Sequence, residues 1–332
     1  MLQQTQVATV LPYFARWRRA LPDFAALAAA PETKVMKLWE GLGYYSRARN
    51  LHKLAQAVAA RPAMPRTPAE WRELPGIGPY TAAAITSISF GTPAAVVDGN
   101  VVRLLARLTN EGRLFRDGSA AAKHFTPLAG ALITGADPGE HNQAMMELGA
   151  TVCLRQKPRC STCPVAKFCA ARRNGEPEKL PRLKPGVIEQ KSVTRVWCEH
   201  RGRLLLRRGH AKAKRLAGLH ELPEYSDLEL HVPAPNPSLR GARQGDAAIQ
   251  LDRHPRQSRA RDDIPGFELL ALKRRAITRF RITESIYRVK PAAVLLMRIG
   301  KNAALEWVPL HRLEKITLSG PHRRWIGELL AR

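Results

Sequence analysis

The sequence predicts two domains: an all-α domain at residues 1–170 and a smaller α+β domain at residues 192–332. Up to residue 170, short apolar stretches recur at helical spacing and are separated by Gly and Pro turns. Residues 171–191 are rich in Pro, Gly and charged side chains, and we expect a linker there. Beyond the linker, apolar residues alternate with period two, which indicates strands. A chain of 332 residues is long enough for two domains with separate cores.

The chain is strongly basic. Lys and Arg number 54 against 28 Asp and Glu, which gives a net charge of +26 and a pI near 10.8. Both halves are basic, so nucleic acid is the partner that the composition favours, with solubility alone as the alternative. No apolar run approaches the ~18 residues of a membrane helix, and no signal peptide opens the chain. We therefore expect a cytoplasmic protein without membrane contact.

The first helices can be placed from their spacing and caps. The opening residues already follow a helical pattern, set by Val7, Val10, Leu11 and Phe14. Because no capping residue precedes this pattern, we expect the chain to lack an N-terminal segment. Asp23 is predicted to cap a helix that begins at Phe24, and another helix is predicted from Ser46 to Ala60.

A glycine turn, Leu74 to Ala82, lies between two predicted helices. Thr67 and Glu70 have the spacing of a capping box for the first helix, with Pro68 in its first turn. The second helix would expose backbone N–H groups at its start, and these can bind a DNA phosphate. We predict that Leu74, Gly76 and Gly78 contact DNA; a plain turn between two core helices is the alternative.

Four of the five cysteines lie in one short window. Cys153, Cys160, Cys163 and Cys169 have the spacing C-x6-C-x2-C-x5-C, whereas Cys198 stands apart. This clustering, with an odd thiol left over, favours thiolate ligands in a reducing compartment over disulfides. Structural zinc usually takes two close Cys pairs, and this run has one. Four thiolates also suit a 4Fe-4S cluster, so the spacing leaves both groups open.

Asp98 follows an apolar run and precedes Gly99-Asn100 and a basic helix that begins near Val101. An aspartate at this place can cap the helix. A carboxylate beside a reacting sugar can also stabilise the positive charge that develops when an N-glycosidic bond breaks. The two roles are compatible.

In the C-terminal part, strands are predicted around Val193, Arg195 and Trp197, from Arg203 to Leu206, and from Arg288 to Leu296. A closing helix is predicted from Ser319 to Leu330. Residues 231–264 contain few large apolar side chains, so we expect this insert to be disordered.

Several motifs in one order resemble the MutY-type adenine DNA glycosylases, a family of helix-hairpin-helix enzymes whose catalytic domain ends in an iron–sulfur loop. The motifs are at residues 1–7, 41–50, 74–82, 97–101 and 142–149 and at the four cysteines of residues 153–169. The resemblance is close up to about residue 225 and loose beyond it. It implies a 4Fe-4S cluster on Cys153, Cys160, Cys163 and Cys169, and a monomer that binds double-stranded DNA with adenine opposite 8-oxoguanine or guanine.

The resemblance also assigns roles to single residues. Asp98 would stabilise the sugar in the transition state, with Asn100 supporting the site. Tyr80 stands where related lyases have a Schiff-base lysine, which implies base removal without efficient strand cleavage. Gln4 and Tyr44 match residues that insert into the duplex when a base is extruded.

The C-terminal domain resembles the Nudix-related recognition domain of the same family, without the acidic metal-binding helix of Nudix hydrolases. It would read the oxidised guanine. The family's Phe-Ser-His loop aligns with Ile277-Thr278-Arg279, and we predict that Arg279 contacts DNA.

The family's general acid is a glutamate two residues before the position of Met1. This sequence therefore leaves two functions open, an adenine glycosylase whose glutamate lies upstream and a DNA-binding homologue without catalysis. Removal of oxidised pyrimidines with lyase activity is disfavoured by Tyr80.

Overall fold

The computed structural model describes residues 1–2, 5–133, 137–210, 213, 217–228, 267–277, 279–289 and 304–331. The chain forms two compact units. We call residues 14–35 and 47–186 the helical unit, and residues 1–13, 36–46 and 187–332 the mixed unit. The mixed unit thus contains two segments that the sequence assigned to the N-terminal domain. The chain passes from the helical to the mixed unit after residue 186, inside the predicted linker.

The described residues form α-helices α1 (Val7–Ala20), α2 (Phe24–Ala29), α3 (Glu32–Trp39), α4 (Ser46–Ala59), α5 (Pro68–Arg72), α6 (Pro79–Phe90), α7 (Gly99–Leu108), α8 (Gly118–Ala131), α9 (Pro138–Thr151), α10 (Ala170–Arg173) and α11 (Gly320–Leu330). The predicted caps are confirmed. Asp23 accepts a hydrogen bond from the N–H of Ala26, and Thr67 with Glu70 forms the capping box of α5. These helix starts follow from local sequence because each cap satisfies amides within three residues.

The core of the helical unit is built around α7. Its residues Val101, Val102 and Leu105 are buried and pack in a cluster with Phe115 and Phe125. A second cluster joins α4, α5 and α6 through Leu54, Trp71, Leu74 and Ala82, among others. Apart from the indole N–H of Trp71, these side chains are apolar, so their burial drives the packing that holds the hairpin and the start of α7 in place.

The predicted linker differs from the structure. Ala171 and Leu180 are buried in the core cluster of α7, so this part of the linker packs with the helical unit. The predicted all-α part also contains a short strand, β1 (Leu114–Phe115), which pairs in parallel with β2 (Arg182–Leu183). Because residues 171–186 are rich in Pro, Gly and charged side chains, the sequence pattern did not reveal that Ala171 and Leu180 pack in this core.

The mixed unit contains the strands β3 (Glu189–Trp197), β4 (Glu199–His200), β5 (Arg203–Arg208), β6 (His220–Glu221), β7 (Phe267–Ile277), β8 (Phe280–Val289) and β9 (Leu305–Pro309). One sheet has the order β3-β8-β7, with β3 parallel and β7 antiparallel to β8. The other has the order β4-β5-β6, and β9 pairs with β5. The core of the mixed unit includes the buried side chains of Trp197, Leu204 and Trp325.

The predicted strands in β3 and β5 and the closing helix α11 are confirmed. Of the strand predicted from Arg288 to Leu296, Arg288 and Val289 are described and form the end of β8, which begins earlier, at Phe280. Residues 290–303 lie outside the described part, as does the whole predicted insert at 231–264. The start of β8 was not predicted because the strand contains charged residues. One of them, Glu284, is fully buried and pairs with Arg195 at 2.8 Å.

Candidate functional site

The glycine turn joins α5 to α6. Gly76 has φ +77°, and a Cβ at this position would lie 2.5 Å from the Cβ of Asn50, so both conformation and space call for glycine. Gly78 is the N-cap of α6 and has an extended backbone; as a glycine it supplies no side-chain cap for this helix start. The prediction of an available helix start at Gly78 is therefore consistent with the structure.

Leu74, which was predicted to contact DNA, has its side chain in the core of the helical unit. Its side chain is buried and packs in the core cluster with Trp71 and Ala82. Its N–H donates to the carbonyl of Trp71, and its carbonyl accepts from the N–H of Ile77. The side chain of Leu74 thus anchors the turn in the core, and the DNA contact predicted for this residue stays a prediction.

Asp98 is the N-cap of α7, as predicted. Its Oδ1 accepts hydrogen bonds from the backbone N–H groups of Asn100 and Val101, each at 2.8 Å. Its Oδ2 accepts from Nδ2 of Asn100 at 3.2 Å. Three donors from two successive residues fix the orientation of a half-buried carboxylate at the positive end of a helix.

Tyr80 lies in the first turn of α6 and is half-buried. Its hydroxyl donates to Sδ of Met146 on α9 at 3.4 Å. Burial raises the pKa of the Tyr80 phenol, and the negative charge of Asp98 raises it further. The structure therefore brings Tyr80 and Asp98 into the same electrostatic environment, with the phenol protonated at neutral pH.

Asn100 connects Asp98 to the cysteine loop, residues 153–169. Oδ1 of Asn100 accepts a hydrogen bond from Nη2 of Arg103 at 2.9 Å. Arg103 also donates from Nη2 to the carbonyl of Gly149 at 2.6 Å and from Nε to the carbonyl of Cys153 at 2.7 Å. One turn of α7 thus links the first cysteine to the residue that holds Asp98.

The four clustered cysteines line one pocket of ≈ 380 Å³, a volume that includes its open mouth. Their thiols are half-buried, and burial together with the neighbouring thiols Cys153, Cys169 and Cys163 raises the pKa of Cys160. Among the described residues, no group of three or more His, Cys, Asp or Glu is drawn together closely enough to hold a metal ion. The four thiols line one pocket and do not converge on a single point. This donor set therefore suits a group larger than a single ion.

Arg107 forms the inner wall of this pocket and is buried at 1% exposure. Its Nη1 lies 3.3 Å from Sγ of Cys153 and 2.7 Å from the carbonyl of Leu154, to which it donates. It also donates to the carbonyls of Arg155 at 3.0 Å and Leu180 at 3.2 Å. A buried cation that satisfies carbonyls on both sides of the loop holds the cysteines in position and supplies positive charge beside their sulfur atoms.

Sequence reasoning missed Arg103 and Arg107. The available signal was their spacing of four residues within the apolar stretch Val101–Leu108, where a solvated arginine would interrupt a buried face. Both arginines reach partners about 45 to 75 residues away, which the local sequence does not reveal.

The remaining predicted DNA contacts lie in the mixed unit or outside the described residues. Tyr44 is 46% exposed and has φ +46°. Arg279, at the turn between β7 and β8, is exposed, pairs with Glu189 at 2.8 Å and lies 5.1 Å from the ring centre of Phe280. Gln4 and Thr278 lie outside the described residues. In the helical unit, the basic side chains of the cysteine loop are exposed: Arg155, Lys157, Arg159 and Lys167.

Comparison with known proteins places this geometry in context. A family model described as HhH-GPD superfamily base excision DNA repair protein matches residues 1–118, a range that includes the hairpin and Asp98. The human adenine DNA glycosylase is 48% identical over 183 residues, which cover 54% of this chain and 33% of the relative. The adenine DNA glycosylase of Schizosaccharomyces pombe is 45% identical over 175 residues, 52% of this chain and 38% of the relative. The chain therefore spans less than two fifths of the length of these two relatives.

A solved thermostable thymine-DNA glycosylase is 27% identical, covers 52% of this chain and 80% of its own, and superposes with a TM-score of 0.45. A TM-score below 0.5 does not establish a shared fold. None of the described helices is long and apolar enough to cross a membrane.

Proposed function

We propose that this chain, a homologue of the MutY-type adenine DNA glycosylases in the HhH-GPD superfamily, removes adenine mispaired with 8-oxoguanine or guanine from double-stranded DNA. The observation that carries the proposal is the carboxylate of Asp98, oriented by three hydrogen bonds at the start of α7 and sharing its electrostatic environment with Tyr80. The family match is consistent with base excision repair as the setting.

The chemistry follows from the charge that the reaction develops. When the N-glycosidic bond of adenine breaks, positive charge builds on the sugar, and a fixed carboxylate beside it stabilises the transition state. Asp98 has this role in the proposal, because its orientation is set before DNA binds. Adenine leaves as a neutral base only if its ring is protonated, which requires a general acid. The family's glutamate, two residues before the position of Met1, would supply that proton.

Tyr80 supports a monofunctional enzyme. A glycosylase with lyase activity needs an amine that attacks the sugar and forms a Schiff base. A phenol cannot form this intermediate, and the raised pKa of Tyr80 keeps it protonated and able to donate a hydrogen bond at neutral pH. We therefore assign base removal without efficient strand cleavage.

Several parts of the molecule support DNA as the partner. The start of α6 at Gly78 offers backbone N–H groups to a phosphate, and the exposed basic side chains of the cysteine loop add positive charge. Tyr44 presents an exposed aromatic ring that can fill the gap left by an extruded base. The mixed unit, with Arg279 at a strand turn, would read the oxidised guanine, as the resemblance of residues 192–332 to a Nudix-like recognition domain implies.

The four clustered cysteines would hold a 4Fe-4S cluster through their thiolates. When bound, such a cluster supplies a rigid covalent anchor for the loop and has no part in breaking the glycosidic bond. Arg107 would stabilise the thiolate of Cys153 through its hydrogen bond and keep the loop attached to α7.

The alternative is a DNA-binding homologue without catalysis. To separate the two, the chain is assayed as printed and with Ser-Glu-Val placed before Met1, under single-turnover conditions on duplexes with adenine opposite 8-oxoguanine. The proposal predicts excision by the extended chain and slow or no excision by the printed chain. Tight binding of the mispaired duplex without excision by either would establish the alternative. Equal affinity for mispaired and matched duplexes would overturn both.

A further inference from the structure

The loop that carries Tyr44 has an unusual backbone. We call residues 40–45 the Tyr44 loop. Within it, Gly41 has φ +103°, Gly43 φ +69° and Tyr44 φ +46°. The left-handed conformation is unfavourable for a residue with a side chain, so Tyr44 keeps it only if the surroundings enforce it. The question is which contacts do so.

Two buried aromatic residues hold the loop from inside. Nε1 of Trp39 donates to the carbonyl of Gly43 at 3.0 Å, and the side chain of Trp39 is 1% exposed. The hydroxyl of Tyr45 accepts from the N–H of Gly41 at 3.4 Å. Tyr45 is itself buried, and burial raises its pKa to about 12. These contacts fix the backbone on both sides of Tyr44.

Further contacts of the loop reach a segment nearly 280 residues away. Oε1 of Glu40 accepts from the N–H of Leu318 at 2.8 Å and from Nε of Arg323 at 2.9 Å. The hydroxyl of Tyr45 donates to the carbonyl of Leu318 at 3.1 Å. Both flanks of the Tyr44 loop are therefore bonded to the same backbone position, inside the mixed unit.

Arg323 donates further hydrogen bonds that fix this contact. Its Nη1 donates to the carbonyl of Leu313 at 2.9 Å, and its Nη2 to the carbonyl of Ile316 at 2.8 Å. Lys37, one turn before the loop, donates to the same Ile316 carbonyl at 2.9 Å. A planar guanidinium with three oriented partners fixes the turn 313–318 and places its remaining charge on Glu40. Glu40 is 11% exposed in its side chain, so water competes weakly for the carboxylate.

We propose that residues 313–323 brace the Tyr44 loop, with Glu40 and Arg323 as positioning residues that hold Tyr44 in the conformation it needs for insertion into DNA. The inference rests on the proposed function in one respect, that Tyr44 enters the duplex. It adds that the part of the chain predicted to read the oxidised guanine also sets the geometry of the inserting residue. Reading and insertion would then be coupled through these contacts, among them the salt bridge between Glu40 and Arg323.

The test is a double-mutant cycle on DNA affinity, which does not depend on the general acid. The full chain and its variants Arg323→Ala, Glu40→Gln, Tyr44→Ala and the two pairwise combinations with Tyr44→Ala are titrated with a labelled duplex that contains adenine opposite 8-oxoguanine. We expect Arg323→Ala and Glu40→Gln each to weaken binding about tenfold, as for loss of a charged hydrogen bond. In the Tyr44→Ala background the same changes should have almost no further effect.

The matched control is Arg324→Ala. Arg324 is the next residue of α11, is 69% exposed and pairs with Glu328 at 3.8 Å on the helix surface, so its loss should leave affinity unchanged. If Arg323→Ala does not fold, as judged by its melting transition, Arg323→Lys replaces it, because it keeps the charge and loses the forked donors.

The outcomes separate the two claims. If the wild-type chain does not prefer the mispaired over the matched duplex, the proposed function fails. If it does and Tyr44→Ala weakens binding while Arg323→Ala does not, the brace alone is overturned. Additive losses in the combined variants would also overturn it, since they would assign Glu40 and Arg323 a structural role independent of Tyr44.

Discussion

Helices α6 and α7 belong to the same unit and begin in opposite ways. The start of α7 is satisfied from within, because Asp98 accepts hydrogen bonds from two backbone N–H groups of its first turn. The start of α6 has Gly78 at the same position, without a side-chain cap among the described contacts. Both helices have the positive end of a macrodipole there. At α7 this end holds a carboxylate of the protein, and at α6 we propose that it binds a phosphate of DNA.

The difference shows how one physical feature can serve two roles in a single site. At α7 the helix start orients a negative charge that the proposed reaction needs. At α6 the proposed role of the helix start is to bind a phosphate of DNA through backbone N–H groups, which the glycine turn would allow to approach closely. Substitutions that give each helix start the property of the other, and a substitution in the glycine turn between α5 and α6, test this difference.

The largest effect is expected for Asp98→Asn in the chain extended by Ser-Glu-Val. Asparagine caps a helix about as well as aspartate, so the melting temperature should change little. The negative charge beside the sugar is lost, and the single-turnover excision rate should fall by about 10²–10³-fold. Excision at an unchanged rate would show that Asp98 is a cap alone.

A smaller effect is expected for Gly76→Ala, measured as the free energy of unfolding in denaturant. Alanine at φ +77° is strained by about 1–2 kcal/mol, and its Cβ would also meet Asn50 at 2.5 Å. Gly91→Ala is the matched control, since Gly91 has φ +64° at the end of α6 with no atom within 4 Å of a built Cβ among the residues described. Gly76→Ala should therefore cost more than Gly91→Ala. Equal costs would mean that backbone strain alone accounts for the glycine.

Much of the helical unit could be predicted because its signals are local. Asp98, Asp23 and the Thr67–Glu70 capping box each act within three residues, so the sequence reveals both the residue and its partner. The cysteine pocket was likewise visible from spacing. What spacing could not tell is that Leu74 anchors the turn through its side chain, since an apolar residue at a turn is equally compatible with a ligand contact.

The misses share one cause, which is a polar residue whose partners are distant in sequence. Glu284 reads as a surface residue, yet it is fully buried between Arg195 and Arg275, and the part of β8 before Arg288 was consequently not predicted. Arg107 reads as part of a basic helix face, yet it is buried against the cysteine loop. Period-based reasoning assigns charged side chains to solvent, so buried ion pairs and buried arginines escape it.

The smallest change in stability and the most direct test come from the start of α6. Gly78 has an extended backbone, and no atom of the described residues lies within 4 Å of a built Cβ, so Gly78→Asp fits without strain. The new carboxylate can cap α6 and should stabilise the protein by about 0.3 kcal/mol. It would also occupy the proposed phosphate site with negative charge.

Gly78→Asp and Asp98→Asn are then compared in the Glu-extended chain, by affinity for the mispaired duplex and by single-turnover excision at saturating DNA. We predict that the two variants lose different properties, one the affinity and the other the rate. Gly78→Asp should weaken binding about tenfold and leave the saturated rate nearly intact, whereas Asp98→Asn should lose the rate and keep the affinity. Unchanged binding by Gly78→Asp, together with an unchanged rate for Asp98→Asn, would contradict the division of roles between the two helix starts.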